Sequence, residues 1–347
     1  MKKWLILLFL LIAVAMPTYA VDIGQAPEPE SGASLLPEQQ SDFASDLIYV
    51  LRNAFSAFLP DLKEGMGVCL RVFAVVMLTQ MCNHISGISK QAVKISTVLA
   101  ISGCLIGSAN SMIGLASETV RQISAYGKLL LPVMTTALAA QGSATASTAL
   151  YAGTAVFDSI LTTILSGLFV PLIYGYIALV IANAATKEEY LNKMRDFAKW
   201  FASWSMKLLL YIFICYMSLT GVISGSTDQL ALKAAKLTIS GAVPVVGGML
   251  SDASETILVS VSLMKNAAGI YGILAVIAIF IGPFLKIGAQ YLLLKLTSFF
   301  CNVIGGKDAQ SLIDGFSTAM GLLLAMTGVT CLLQLVSVVC FLRGVGL

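Results

Sequence analysis

Five stretches of the chain, residues 95–117, 159–186, 208–227, 266–285 and 315–342, run for 20 residues or more without an Asp, Glu, Lys or Arg. A helix of about 20 apolar residues rises about 30 Å, the thickness of a bilayer's hydrocarbon core. Composition points the same way: of 347 residues, 58% are hydrophobic and 11% charged. An average soluble domain carries roughly 25% charged residues, so a soluble globule of this composition lacks the means to cover its surface. Disorder is excluded as well, because disordered chains are poor in apolar residues. In hydrocarbon every backbone polar group needs a partner within the chain, which leaves helices as the spanning element. The expected fold is therefore an all-α polytopic integral membrane protein.

A further window, 65–82, is interrupted only by Arg71, near the end where a long side chain can reach the interface. Residues 287–306 are apolar apart from Lys295. Counted as a span, they bring the total to about seven crossings and place Arg343 in the cytoplasm. Left on the surface, they give six crossings and an external C-terminus. The range is six to eight.

Charge placement orients the spans. Met1-Lys2-Lys3, an apolar run to Ala15, Pro17 and then Thr18-Tyr19-Ala20 have the pattern of a cleavable signal peptide, residues 1–20. An uncleaved signal anchor is the alternative. Residues 21–64 hold eight acidic residues against Arg52 and Lys63, which fits an extracytoplasmic segment. Its Pro-rich start reads as flexible linker, and from Phe43 to Leu59 apolar residues recur at helical spacing until Pro60 stops them. The polytopic membrane domain is 65–347. Residues 187–207 hold five bases and three acids, the most basic loop, expected to be cytoplasmic. That placement conflicts with a single crossing by the charge-free stretch 129–157. This stretch carries Pro132 and many Ala, Ser, Thr and Gly residues. It is expected to be re-entrant, a packed hairpin, or a pair of short helices.

Three features are candidates for function. Residues 187–204 are amphipathic, with Tyr190, Met194, Phe197, Phe201 and Trp204 on one face and a Glu189/Lys193 pair on another. That face suits an interfacial anchor, because Trp prefers the membrane boundary, or a docking surface. Between 226 and 265 a short helix, a Gly/Pro break with Gly241, Pro244, Gly247 and Gly248, and a second helix capped by Asp252 and Glu255 follow one another. Broken helices of this kind make transporter binding sites, and they also occur as hairpins that only pack. Arg71, Asp158, Lys286 and Lys295 are charges at depth or at an interface. The GxxxG pairs Gly103/Gly107 and Gly221/Gly225 permit close helix contact.

The seven Cys form no C-x-x-C, and the only His is His84. Zinc and triad chemistry are thus improbable. Gly305-Gly306-Lys307 lacks the remainder of a phosphate loop. No catalytic, metal or cofactor site is assigned and no nucleic-acid partner is expected. The chain reads as a non-enzyme.

The run Ser240-Gly241-Ala242-Val243-Pro244-Val245-Val246-Gly247-Gly248-Met249-Leu250-Ser251-Asp252-Ala253-Ser254-Glu255-Thr256 closely resembles the stage III sporulation protein AE family. Gly282-Pro283-Phe284-Leu285-Lys286-Ile287-Gly288 and the segment from Tyr291 to Thr297 resemble it too, and the likeness extends diffusely from about Phe43 to the C-terminus. The resemblance implies a role in endospore formation. It implies a multi-pass protein of the mother-cell membrane around the forespore, with its mature N-terminus on the intermembrane side. Its implied partners are other membrane proteins of the same sporulation operon, a forespore membrane protein and membrane lipid. Together these proteins resemble a channel or secretion apparatus. The family supplies no catalytic residues to carry over. The alternative is a stand-alone secondary transporter using the break near Pro244. Transporters often repeat their broken helices in two halves, and the surroundings of Pro132 and Pro244 are not similar.

Overall fold

A computed structural model describes residues 27–37, 43–83, 89–140, 144–186, 188–219, 267–304 and 306–345. Every long element is helical: α1 Phe43–Asn83, α2 Lys90–Ala140, α3 Ala144–Ile164, α4 Val170–Thr186, α5 Glu189–Leu219, α6 Ala267–Val303 and α7 Lys307–Val345. A π-helical turn, Leu165–Phe169, joins α3 to α4 without a break. Among the described residues, six helices are long and apolar enough to cross a membrane, α3 and α4 counting as one. The expected all-α polytopic class is what forms.

The helices run alternately down and up. At one end Thr79 of α1 shares a hydrogen bond with Thr97 of α2 (2.9 Å), and Asn183 of α4 donates to Asn192 of α5 (2.8 Å). Gly306, between α6 and α7, abuts Val76 of α1 at this same end. At the other end Phe213 of α5 meets Phe157 of α3, with ring centroids 4.7 Å apart, and Gly272 of α6 abuts Leu130 of α2. Lys94, Lys193, Arg195, Lys199 and Lys307 all lie toward the first, basic end. Leu219 and Ala267, where α5 stops and α6 starts, share the opposite end.

α7 is the axis of the bundle. It packs against α2, α3, α4, α5 and α6, and 94% of its most apolar window is buried, against 28–50% in the other five spans. Phe316, Leu323, Val329 and Phe341 are among its fully enclosed side chains. Several of its polar residues are satisfied locally or by a neighbour, while Gln334 Nε2 and Ser337 Oγ are buried without a partner among the described residues. Thr327 and Thr330 donate back to carbonyls of their own helix, and Ser317 donates to the Tyr291 carbonyl of α6 (3.2 Å). Gly315 lets α7 touch α4: a Cβ there would lie 2.3 Å from a methyl of Val180.

Several expectations are corrected. Pro60 does not stop a helix; α1 runs through it for 41 residues. Proline removes one backbone donor and bends a helix, but a long helix held by neighbours tolerates it. Pro132 and Pro283 also sit inside helices. Residues 287–306 are no separate crossing, because α6 is one 37-residue helix that includes the window before them. The described spans therefore number six rather than the favoured seven, within the expected range. The stretch 129–157 is not a re-entrant element either: it forms the end of α2 and the start of α3, with 141–143 outside the described residues. Gly103 and Gly107 mediate no contact among the described residues, since a Cβ on either would meet none of their atoms within 4 Å; Gly221 and Gly225 lie outside the described residues.

The part of the acidic linker that is described, 27–37, lies against the bundle. Ser31 donates to Gln122 of α2 (2.7 Å). Gly32 adopts φ 78°, where a side chain is strained, and a Cβ on it would lie 2.8 Å from the Ala278 backbone of α6.

Candidate functional site

Three polar groupings interrupt the apolar bundle. The first joins α1 to α6: Lys286 donates to Asp61 over 3.0 Å, with the two side chains 32% and 35% exposed. Pro60 and Pro283 lie one and three residues before these partners, and each lacks the N–H that would bond the carbonyl four residues upstream, those of Ser56 and Ile279. Beside it is a cavity of about 30 Å³, lined by Glu64, Ser108 and Gln290 among others. That is about the share of one water molecule in liquid. Gln290 is 5% exposed, and its Nε2 has no partner among the described residues. Gly65 allows the approach, since a Cβ there would lie 3.0 Å from Oε1 of Gln290.

The second grouping sits toward the basic end, between α4, α5 and α7. Lys295 of α6 pairs with Asp314 of α7. Asp314 also lines a cleft of about 290 Å³ with Tyr176, Arg195, Asp196, Lys199 and Thr318. Arg195 bonds to Asp196 (2.9 Å); its side chain is 23% exposed, that of Asp196 66%. Tyr176 shares a hydrogen bond with Thr318. The walls are fixed by the Asn183–Asn192 bond and the Gly315–Val180 contact described above.

The third is buried between α2 and α3. Ser124 donates to Asp158 (2.6 Å), and Thr162 donates to Ser124 (2.8 Å) and to the Asp158 carbonyl (2.9 Å). The π-turn follows directly, with the Val170 N–H reaching back five residues to the Leu165 carbonyl. Pro171 explains the turn. Its missing N–H and its ring disfavour the regular bond to Gly167, and widening the helix by one residue relieves the crowding. Asp158→Asn, which keeps an acceptor for Ser124, should cost less than about 1 kcal/mol. Asp158→Leu, which leaves buried donors unpaired, should cost about 1–3 kcal/mol. Unfolding of both variants in detergent checks this; equal losses would show that hydrogen bonding is not what Asp158 contributes.

A stage III sporulation protein AE profile matches residues 37–344, taking in every helix of the bundle. The chain belongs to the stage III sporulation protein AE family. The stage III sporulation protein AE of Bacillus subtilis (strain 168) is 24% identical over 274 residues, which cover 79% of this chain and 68% of that protein. No solved structure matches. Membership supports a role in endospore formation.

In this AE-family chain the residues singled out from sequence do not gather into one site. Lys286, Lys295 and Asp158 each anchor a different grouping. Arg71 is exposed and, among the described residues, bonds only to the Gly67 carbonyl of its own helix (3.3 Å). Gly241, Pro244, Gly247, Gly248, Asp252 and Glu255 lie outside the described residues. Of the expected α5 face, Tyr190, Met194, Phe197 and Trp204 are exposed and Phe201 is half-buried; Trp200 is exposed too, its ring stacked 5.9 Å from that of Trp204. The Glu189–Lys193 pair closes at 2.8 Å. The pairing carboxylates Asp61 and Asp314, and the cleft residues Arg195 and Lys199, were missing from the sequence-derived site. Their signal was an isolated base in an apolar helix, which requires an acid somewhere else in the chain.

Proposed function

We propose that this AE-family protein is a mother-cell membrane subunit of a multi-protein channel or secretion-like complex that connects mother cell and forespore after engulfment. It acts as a structural membrane component rather than an enzyme. Its partners are membrane proteins of the same sporulation operon and, through the complex, a forespore membrane protein. The basic end of the bundle faces the cytoplasm under the positive-inside bias, which leaves the mature N-terminus on the intermembrane side.

The observation that carries the subunit reading is the closed axis. The centre of the bundle is filled by α7, 94% buried in its apolar window, where a self-sufficient conduit would need an opening. The cavities cited above, about 30 and 290 Å³, hold at most a small molecule. Meanwhile Leu70, Met77, Leu78 and Met81 of α1 and Leu292, Leu296, Phe299 and Phe300 of α6 face outward, offering apolar surface to lipid or to other subunits. A translocation path, on this reading, forms between subunits.

Two measurements test it. Deleting the gene in a spore former should arrest development after engulfment, and full-length protein should restore spores; normal sporulation in the deletion strain would remove the role. Purified protein alone in liposomes should move no solute. Solute uptake by the lone protein would instead establish the stand-alone transporter with its site near Pro244.

A further inference from the structure

Gln290 of α6 carries a need that the chain does not meet. Its side chain is buried, and its Nε2 has no hydrogen-bond partner among the described residues. Nearly all buried polar groups in folded proteins do have one, either in the protein or in ordered water, because an unsatisfied group loses its hydration for no return. Here the orphaned donor coincides with a space. Gln290 lines the cavity beside the Asp61–Lys286 pair, together with Glu64 of α1 and Ser108 of α2. At about 30 Å³, the cavity has room for a single water molecule and excludes a larger solute.

The wall decides among occupants of that size. An anion would face the carboxylates of Asp61 and Glu64. A metal cation would face the Gln290 N–H and the Lys286 ammonium. Water accepts and donates at once, and bound waters in proteins hold two to four polar partners. It can take the Gln290 N–H and give its own protons to oxygens across the cavity. Asp61 meets Lys286 through Oδ1, which leaves its second oxygen as an acceptor. The Ser108 hydroxyl serves as donor or acceptor.

We propose that this cavity is a binding site for one water molecule, which bridges Gln290 of α6 to Asp61 of α1 and Ser108 of α2. The direct Lys286–Asp61 bond joins only α1 and α6. The water brings α2 into the same network, so that three helices share the charged pair. Gln290 is the positioning residue of this junction. The site is independent of whether the protein forms part of a channel.

X-ray radiolysis turns bound water into hydroxyl radicals that oxidise the side chains beside it, and mass spectrometry locates the products. Met112 of α2 lines the cavity and is buried. Met320 and Met326 of α7 are buried too and do not line it. In full-length protein in micelles, Met112 should be oxidised several times faster than either α7 methionine. Gln290→Leu removes the N–H and fills the space, so Met112 should drop to the α7 rate, with Met320 and Met326 still protected as the sign of a folded bundle. Ser108→Ala, a mild change within a helix, should slow Met112 oxidation without that risk to folding. Gln290→Leu should also lower the unfolding midpoint, because bridging bonds are lost. Sodium-free and chloride-free buffers should leave the Met112 rate unchanged. Protection of Met112 in the wild type, or wild-type oxidation in Ser108→Ala and in a folded Gln290→Leu, would overturn the proposal. So would a raised midpoint in Gln290→Leu, the result for a dry cavity in which Nε2 is simply unsatisfied. A Met112 rate that follows sodium or chloride would assign the cavity to an ion and overturn it as well.

Discussion

Truncating Phe316 to alanine is expected to destabilise the bundle by about 3–5 kcal/mol, the range for deleting an enclosed aromatic ring from a packed core. Phe316 is 1% exposed and belongs to the helix that the others surround. Membrane helices gain little from moving apolar surface out of lipid, so close packing carries much of their association. A cavity on the axis removes contacts that nothing else replaces. Phe299→Ala is the matched control: the same residue type in α6, 60% exposed, where a change should stay within about 0.5 kcal/mol. Denaturant titration in mixed micelles reads both, and similar losses at the two positions would show that α7 is not the mechanical centre.

The second large effect concerns the adjacent residue. Gly315→Ala should cost about 1–3 kcal/mol by overpacking, because the new methyl would lie 2.3, 2.8 and 3.1 Å from three carbons of Val180. One of these is the β-carbon, close to the α4 backbone, so the neighbour has no flexible end to swing away. Val180→Ala alone should also destabilise, by opening a void. The double variant should recover part of the loss, because one substitution makes the room the other needs. A double-mutant cycle measures that coupling directly. Strict additivity would mean that α4 and α7 do not touch at this point.

These two residues mark where sequence reading runs out. The charge-free windows made the helical class and most of the spans legible, and the amphipathic start of α5 and the Glu189–Lys193 pair follow from local spacing. Which helix is central was not legible. A helix facing lipid and a helix facing protein are both uniformly apolar, so the polar stripe that orients a soluble helix is missing. Gly315 looked no different from Gly103 or Gly107, yet only Gly315 meets a neighbour. Proline misled twice. Pro60 and Pro132 read as boundaries under rules calibrated on short soluble helices, whereas helices of 41 and 51 residues carry them in the interior. The bases Lys286 and Lys295 were visible as anomalies. Asp61, 225 positions away from Lys286, was not, because that pairing exists only once α1 and α6 are side by side.

The position of α7 also has a consequence in time. A ribosome makes the chain from its N-terminus, and domains assemble as their segments appear. α7 is made after all the other described helices, yet it fills the place between them. Until α7 is made, the faces of α2, α3, α4, α5 and α6 that pack against it lack that partner. The 39-residue helix Lys307–Val345 thus completes the described bundle, and a chain that stops before Lys307 has walls without a centre.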